Sequence, residues 1–410
     1  MTSFNLIDPA LAPIASKVLA GERLSREDGL TLYHSSDLIG IGQMADHVRR
    51  GINGDKVHFM VNRHINPTNI CRNRCKFCAF ARSKGEEGAY EMTLDSIVEA
   101  AKDGAADGAY EIHIVSGLHP DLSYEFYIDM VRRVREAVPA HVIVQAFTAV
   151  EIEHMAIISG KPTLEVLRDL KDAGLDALPG GGAEIFSDRL RAAAWEKKTT
   201  SDVWLRIHAE AHSLGIATNC TMLYGHIETL EERVDHMVRL REQQDASGGF
   251  LAFIPLAFHH ANTEMSDLPA TTGFDDLKTL AIGRLMLDNI PHIKAFWIML
   301  GLKVAQLSTV LGVDDLKTLA IGRLMLDNIT HIKAFWIMLG LKVAQLSTVF
   351  GVDDLDGTVV EERITHMAGA TTPEALSKDD LIATIVETGH VAVERDTLYN
   401  VVKVYDAEGR

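Results

Sequence analysis

Six short apolar runs rich in β-formers recur along the chain with amphipathic segments between them: KVHFMVNRHI (56–65), YEIHIVSG (110–117), HVIVQAFTA (141–149), DALPGG (176–181), ATNCTMLYG (217–225) and FLAFIPLAF (250–258). A strand covered on both faces reads as an apolar run, and a helix crossing over it carries an apolar stripe. The rhythm therefore predicts βα units around a parallel sheet. LDSIVEAAKDGAADG (94–108) and TLEERVDHMVRLREQQ (229–244) read as two of the helices. Several runs end in glycine, proline or polar residues, where the C-terminal loops of a barrel carry its chemistry. The expected fold is α/β, a TIM-type (β/α) barrel, and 410 residues of 47% hydrophobic content can fill its core.

Residues 1–55 read as helices ahead of the first strand, a lid or a structural collar, with Ser25 and Asp28 placed as a capping box before GLTLYHS. The barrel core is expected over 56–352, and 353–410 reads as a more polar, again helical, C-terminal segment. Inside the core, residues 275–313 recur at 314–352, changed only at Pro291/Thr330 and Leu311/Phe350. Two units this alike do not make a solenoid; they point to a recent tandem duplication or an error in assembling the sequence. Each copy reads as helix, strand and helix around HIKAFWIML. A closed barrel fixes strand number, tilt and shear together. Only one copy, the first, is therefore expected in the barrel, and the surplus strand is expected outside it as an aggregation-prone edge.

The formal charge of −17, with no lysine- or arginine-rich run, lacks the electrostatic footprint of a nucleic-acid binder and leaves a small molecule as the expected partner. The N-terminal stretch has no basic region followed by an unbroken apolar one, and no run of about 18 apolar residues appears, so no signal peptide and no membrane span are expected. The chain reads as cytoplasmic.

Four cysteines are too few for a disulfide framework, and three of them fall within eight positions. Cys71, Cys75 and Cys78 make a C-x3-C-x2-C spacing directly after the first expected strand. Three thiolates can bind three irons of a [4Fe–4S] cubane and leave the fourth open. The competing reading is zinc, with His64 as fourth ligand, but a zinc knuckle usually stands on its own small loop fold. A ferredoxin-like electron carrier would want a fourth cysteine. Cys220, alone in IATNCTMLYG, reads as a small buried apolar residue.

With its aromatic residue at Phe77, the cysteine motif resembles that of the radical S-adenosylmethionine (SAM) superfamily. RHINPTNIC, FCAFAR, SGLHPD, QAFTAVEI, LPGGGAEIF, TMLYGHIET, FIPLAFHHANT, HIKAFWIMLG and DDLDGTVVEERITHMAGA sharpen the resemblance to the aminofutalosine synthase family over residues 20–400. Gln145 and His260 depart from it, standing where a lysine and a proline are expected. The resemblance implies a [4Fe–4S] cluster on Cys71, Cys75 and Cys78, with SAM on its open iron. It implies addition of the 5′-deoxyadenosyl radical to 3-[(1-carboxyvinyl)oxy]benzoate, giving 6-amino-6-deoxyfutalosine for menaquinone biosynthesis. It also implies an electron donor such as flavodoxin or ferredoxin.

By the same resemblance Phe77, Ser116 and Gly117 lie near SAM. Glu184, after the glycine run at a strand end, is a candidate for its ribose hydroxyls, with a solvated or helix-capping carboxylate as the competing reading. The run Gly180–Gly182 taken alone reads as a turn rather than a phosphate cradle. His64, Arg82, His119 and His259 are the candidate donors to a doubly carboxylated substrate. Two other readings remain in competition. One is a related enzyme, a dehypoxanthine futalosine cyclase, in which SAM only abstracts hydrogen, or a deazaflavin-precursor synthase. The other is a cluster- or zinc-binding module without catalysis.

Overall fold

The first expected strand is two strands that join different sheets. β1 (Val57–Phe59) and β2 (Asn62–Ile65) are separated by Met60 and Val61. From β2 a parallel sheet runs in chain order through β3 (Glu111–Ile114), β4 (Ile143–Ala146), β5 (Ala177–Leu178), β6 (Ala217–Tyr224), β7 (Phe250–Ala257), β8 (His292–Lys294) and β9 (His331–Lys333). The computed structural model describes residues 4–53, 57–268, 271, 273–294, 331–333, 353–355, 357–358, 367, 376–386 and 390–405.

Among the described residues, helices α1 (Ala12–Ala20), α2 (Arg26–His34), α3 (Leu38–Asn53), α4 (Leu94–Ala106), α5 (Tyr124–Ala137), α6 (Ala149–Ser159), α7 (Thr163–Asp172), α8 (Asp188–Ala194), α9 (Ser201–Ser213) and α10 (Leu230–Ser247) accompany the sheet up to β7. α11 (Gly273–Met286) follows β7. Helices α4, α5, α6, α8, α9 and α10 begin at hydroxyl caps. Thr93, Ser123, Thr148, Ser187, Thr200 and Thr229 each accept from a backbone N–H in the first turn of the helix they precede. Such caps are worth about 1 kcal/mol each. Thr148 with Glu151 and Thr229 with Glu232 complete reciprocal capping boxes. Buried Ile112, Ile114, Val144, Leu178, Met222 and Phe253 belong to the core between sheet and helices.

The N-terminal helices are a collar. The expected Ser25–Asp28 capping box is present at the start of α2, and α2 packs on α10 and α11. Gly29 allows this contact, since a Cβ there would stand 2.8 Å from Met286 Sδ. Lys278 Nζ donates to Tyr33 O at 2.6 Å, and Arg241 donates to Leu24 O at 2.8 Å.

Both copies of the repeat enter the sheet, contrary to the single-occupancy expectation. β8 from copy one pairs with β7 as expected, Ala252 against His292 and Phe253 against Ile293. β9 from copy two then adds beside β8 with like against like: His292–His331, Ile293–Ile332, Lys294–Lys333. The closure argument does not apply, because no pairing between β2 and β9 closes the sheet among the described residues. An open edge accepts a further strand without shifting any neighbour's register.

The C-terminal segment carries the expected helix, Lys378–Val386, and also two strands, β10 (Ala392–Arg395) and β11 (Val401–Val404), that a purely helical reading misses. β1 pairs in parallel with β10, and β10 pairs antiparallel with β11. The turn is local, with Asn400 N donating to Asp396 Oδ1 at 2.8 Å. β1, assigned to the barrel core from sequence, thus belongs to a small sheet with the chain's C-terminal segment.

Candidate active site

The cysteine loop is the point on which the strand-end loops converge. It leaves β2 through Asn66–Ile70 and is fastened from several sides by backbone hydrogen bonds. Cys71 N donates to Arg82 O (3.0 Å), Arg82 N to Asn69 O (2.8 Å), Arg72 N to Leu118 O (3.0 Å) and Lys76 N to Ala194 O (3.0 Å). Gly117 N donates to Thr68 O at 2.8 Å, and Glu264 N to Lys76 O at 3.0 Å. Gly117 is required by this crowding, because a Cβ there would lie 2.4 Å from Ile70 O.

Cys71, Cys75 and Cys78 are free, partly buried thiols. Burial pushes the Cys75 thiol up to about 12, opposed by the Lys198 ammonium and reinforced by Glu184 and the other two cysteines. Burial also raises Cys78, against hydrogen bonds from the Ala81 and Phe80 backbone. Cys75 and Cys78 line a cavity of about 340 Å³ with Arg82, Asn262 and Thr263. Among the described residues no three His, Cys, Asp or Glu side chains group tightly around one ion. His64, the ligand required by the zinc reading, is occupied elsewhere, stacked on a neighbouring strand. Three thiols on one loop, beside a cavity and a largely buried cation, are the donor set of a [4Fe–4S] cluster with one iron left open.

That cation, Lys198, is not singled out by the sequence. It is largely buried, forms an ion pair with Glu184 and sits 5.1 Å over the Phe77 ring. Burial pulls its ammonium down, but Glu184 and the cysteines outweigh this, and the net shift is upward. Glu184 holds a left-handed backbone, φ 48°, and its carbonyl accepts from Leu223 N. The glycines before it act as a turn, as expected. Gly180 has φ 80°, and a Cβ there would meet Asn219 O at 1.9 Å.

Ser116 gives both its N–H (3.0 Å) and its hydroxyl (3.2 Å) to Glu151 Oε1. The same carboxylate caps α6 through Thr148 N and Oγ1. Burial raises Glu151 to about 7 despite these hydrogen bonds.

Arg82 and His119 are engaged within the loops. Arg82 donates to Ala79 O (2.8 Å) and Ala81 O (2.9 Å). His119 is buried, accepts from Asp121 N at 3.1 Å and places Nε2 2.9 Å from Glu91 Oε2. His259 follows β7, half-buried, at the same end of the sheet.

His64 is buried on β2, with its ring stacked on His113 of β3 at 4.4 Å. Asn62 Nδ2 bonds His64 Nε2 at 3.2 Å, Gln145 Nε2 bonds His113 Nδ1 at 3.0 Å, and Asn219 Nδ2 donates to Gln145 Oε1 at 3.3 Å. This largely buried polar ladder spans β2, β3, β4 and β6, and His64 is its one member among the sequence candidates. The signal is available in the sequence, since His113 and Gln145 interrupt apolar runs at alternate-residue positions that share one face of their strands. Cys220 is buried and among the described residues bonds only Ala252 O, at 3.6 Å, as its apolar reading predicts.

An arc of edge-to-face rings joins four loops at the mouth: Phe77 to Trp195 (5.5 Å), Trp195 to His226 (5.6 Å) and His226 to Phe258 (6.1 Å).

The pattern of the radical SAM superfamily matches residues 65–240, and that of the CofH/MqnC C-terminal region matches twice, over 247–319 and 308–407. Each of the two later matches spans one copy of the repeat. Over 403 residues the chain is 46% identical to the aminodeoxyfutalosine synthase of Thermus thermophilus, covering 97% of this chain and 98% of that one. The chain belongs to the aminodeoxyfutalosine synthase family of radical SAM enzymes. The 5-amino-6-(D-ribitylamino)uracil–L-tyrosine 4-hydroxyphenyl transferase of Methanopyrus kandleri is more distant, 37% identical over 88% of each chain. Of solved structures, the [FeFe]-hydrogenase maturase HydG of Carboxydothermus hydrogenoformans superposes with TM-score 0.65 over 95% of this chain and 80% of that one. At 15% identity this likeness concerns the fold.

Proposed function

We propose that this family member joins the 5′-deoxyadenosyl group of SAM to 3-[(1-carboxyvinyl)oxy]benzoate, giving 6-amino-6-deoxyfutalosine for menaquinone biosynthesis. The observation that carries the reading is the placement of Cys71, Cys75 and Cys78 on one partly buried loop at the C-terminal end of a parallel sheet. It is joined to near-full-length identity of 46% with a synthase of that name. When bound, the cluster supplies the electron that splits SAM into methionine and the adenosyl radical.

The chain's own residues do the rest. Cys71, Cys75 and Cys78 hold the three ligated irons, with Lys198 offsetting their negative charge. Phe77, Ser116, Gly117 and Glu184 border SAM. Glu151 fixes the Ser116 end of that border, and Lys198 fixes Glu184. His64 and His259, with His113, Gln145 and Asn219 from the polar ladder, offer hydrogen bonds to the carboxylated substrate in a site where they are not competing with water. Arg82 and His119 act at one remove by holding the cysteine loop and the loop after β3. The aromatic arc from Phe77 to Phe258 walls the mouth and keeps water and stray hydrogen donors from a radical that must add to a carbon–carbon double bond. The chain works in the cytoplasm and takes its electron from a small carrier protein such as a flavodoxin or ferredoxin.

The test is an anaerobic incubation with SAM carrying label in its adenosyl carbons, a reductant and the enolpyruvyl benzoate, followed by mass analysis. Label is expected in a product that contains the benzoate ring. Label found only as free 5′-deoxyadenosine, beside a turned-over futalosine-type substrate, replaces this reading with the hydrogen-abstracting one.

A further inference from the structure

An electron destined for the cysteine loop has to enter from the protein surface, and one cavity beside that loop is flanked by exposed cations. Arg72, next to Cys71, and Lys197, next to Lys198, both line a surface cavity of about 300 Å³ whose floor includes Leu118, Val150 and His154. Both cations are exposed. Neither has a carboxylate within ion-pair reach among the described residues, whereas nearby Arg74 is paired with Glu86 and Lys84 with Asp121. Glu153, the one carboxylate on the cavity wall, is engaged by the Thr199 hydroxyl at 2.5 Å. On the rim stands Ile157, 65% exposed and among the most exposed large apolar side chains described.

We propose that this face docks a small acidic flavodoxin-type carrier, with Arg72 and Lys197 meeting its acidic rim and the cavity by Ile157 seating the apolar edge of its flavin. This inference rests on the reading of the cysteine loop as a cluster site. Two unpaired cations in a chain of net charge −17 form a local positive field that steers an acidic partner to one place and repels it elsewhere. The concave apolar floor fits a protruding ring edge better than a centre buried beneath its own protein loop. One electron crosses and no atom is transferred: the carrier is oxidised by one electron and the cluster reduced by one. Leu118 O accepts from Arg72 N, so the cavity floor is bonded to the cysteine loop itself.

The experiment mixes the reconstituted full chain anaerobically with fully reduced flavodoxin and follows bleaching of the cluster's visible absorption over a range of salt concentrations. Reduction by dithionite is measured in parallel. Arg72→Glu/Lys197→Glu is expected to lower the second-order rate constant with flavodoxin at least tenfold at low salt and to flatten its salt dependence. Ile157→Glu is expected to lower it severalfold. Cluster content and dithionite reduction should stay at the wild-type level, as should both rates in Lys84→Glu. If Arg72→Glu disturbs the cysteine loop, Lys197→Glu and Ile157→Glu alone carry the test, because both lie outside it. Flavodoxin rates within twofold of wild type in these variants overturn the docking proposal while leaving the function standing. A wild-type chain that holds no reducible cluster overturns the function, and the docking with it.

Discussion

Along the sheet from β2 to β7 each strand has its own sequence, and the loops that follow these strands make contacts that other residues could not reproduce. Gly117 fits against Ile70 O, Gly180 against Asn219 O, and His64 stacks on His113. At the far edge β8 and β9 carry the same three residues and pair His to His, Ile to Ile and Lys to Lys. In the first region an exchanged or shifted strand would remove side chains from the site. In the second, the pairing groups are the same on either strand. A duplicated strand is therefore tolerable at an open edge and would not be in the middle of the sheet, where register and chemistry are the same constraint.

The comparison breaks most visibly at the cysteines. Cys78→Ser is expected to abolish the broad visible absorption of the anaerobically reconstituted protein and its turnover, since the proposed function gives each of the three thiolates one iron to hold. Iron retained at the wild-type level in this variant, or stoichiometric zinc with no iron in the wild type, removes the basis for placing the chemistry on this loop.

The next largest effect is expected where copy one of the repeat meets the C-terminal segment. His292 of β8 stacks on Tyr399 at 3.5 Å, and Arg395 lies 3.6 Å over the same ring. Arg395 is paired with Asp354, both fully buried, and Tyr399 OH donates to Asp354 Oδ2 at 2.9 Å. Asp354→Ala leaves a buried guanidinium without its carboxylate and is expected to cost about 3–5 kcal/mol, read as a lower urea midpoint at unchanged slope. A loss under about 1 kcal/mol would show that water reaches the pair.

A pH effect of intermediate size is expected in the unique region. The Glu151 carboxyl holds its proton up to about 7 in the folded chain, whereas the unfolded chain releases it near the ordinary carboxylate value. Stability from this group is thus fully present below about 4.5 and is lost as pH rises through about 7, a change of about 3 kcal/mol. Urea midpoints at pH 5 and pH 8 should differ accordingly, and Glu151→Gln should narrow the difference. An unchanged difference in Glu151→Gln assigns it to other groups.

Gly117→Ala tests the same region with a single methyl group. Its Cβ would lie 2.4 Å from Ile70 O, so the loop after β3 and the cysteine loop must move apart. A loss of about 1–3 kcal/mol is expected, with reduced cluster incorporation as its signature. Normal cluster content would mean that the two loops can separate without disturbing the thiols.

Legibility follows the same division. The unique strands can be read from their apolar runs, and the cysteine loop from its spacing, because both signals are local. The polar ladder is legible only in part: His113 and Gln145 break their apolar runs, but that these residues meet one another and Asn219 across strands is not a local signal. Lys198 is hidden, being distant in sequence from the cysteines it serves. The split of 56–65 between two sheets depends on β10, more than 300 residues away, and no local pattern in KVHFMVNRHI announces it. The open edge escapes a sequence reading because strand count is argued there from barrel closure, a property of the whole sheet that its individual segments do not encode.

The smallest effect is expected from removing either copy of the repeat. Deleting 275–313 joins Phe274 to Asp314, and deleting 314–352 joins Val313 to Asp353, so that each shortened chain again runs from one DDLKTL to one GVDD. The two products differ only in carrying Thr330 and Phe350 or Pro291 and Leu311. Each retains one His-Ile-Lys strand to pair with Ala252 and Phe253 of β7, and each leaves β2 to β7 untouched. Their stabilities should agree within about 1 kcal/mol, the scale of two peripheral substitutions. Cluster content and turnover should stay within about twofold of the full chain. Soluble yield should rise in both, because the shortened chain no longer carries a second strand of high β-propensity and little charge. If one deletion preserves cluster content and the other destroys it, Pro291/Thr330 or Leu311/Phe350 distinguishes the copies and β8 and β9 are not interchangeable. If both deletions lose solubility and cluster together, β9 supports the body of the sheet, and the contrast between a unique region and a redundant edge fails.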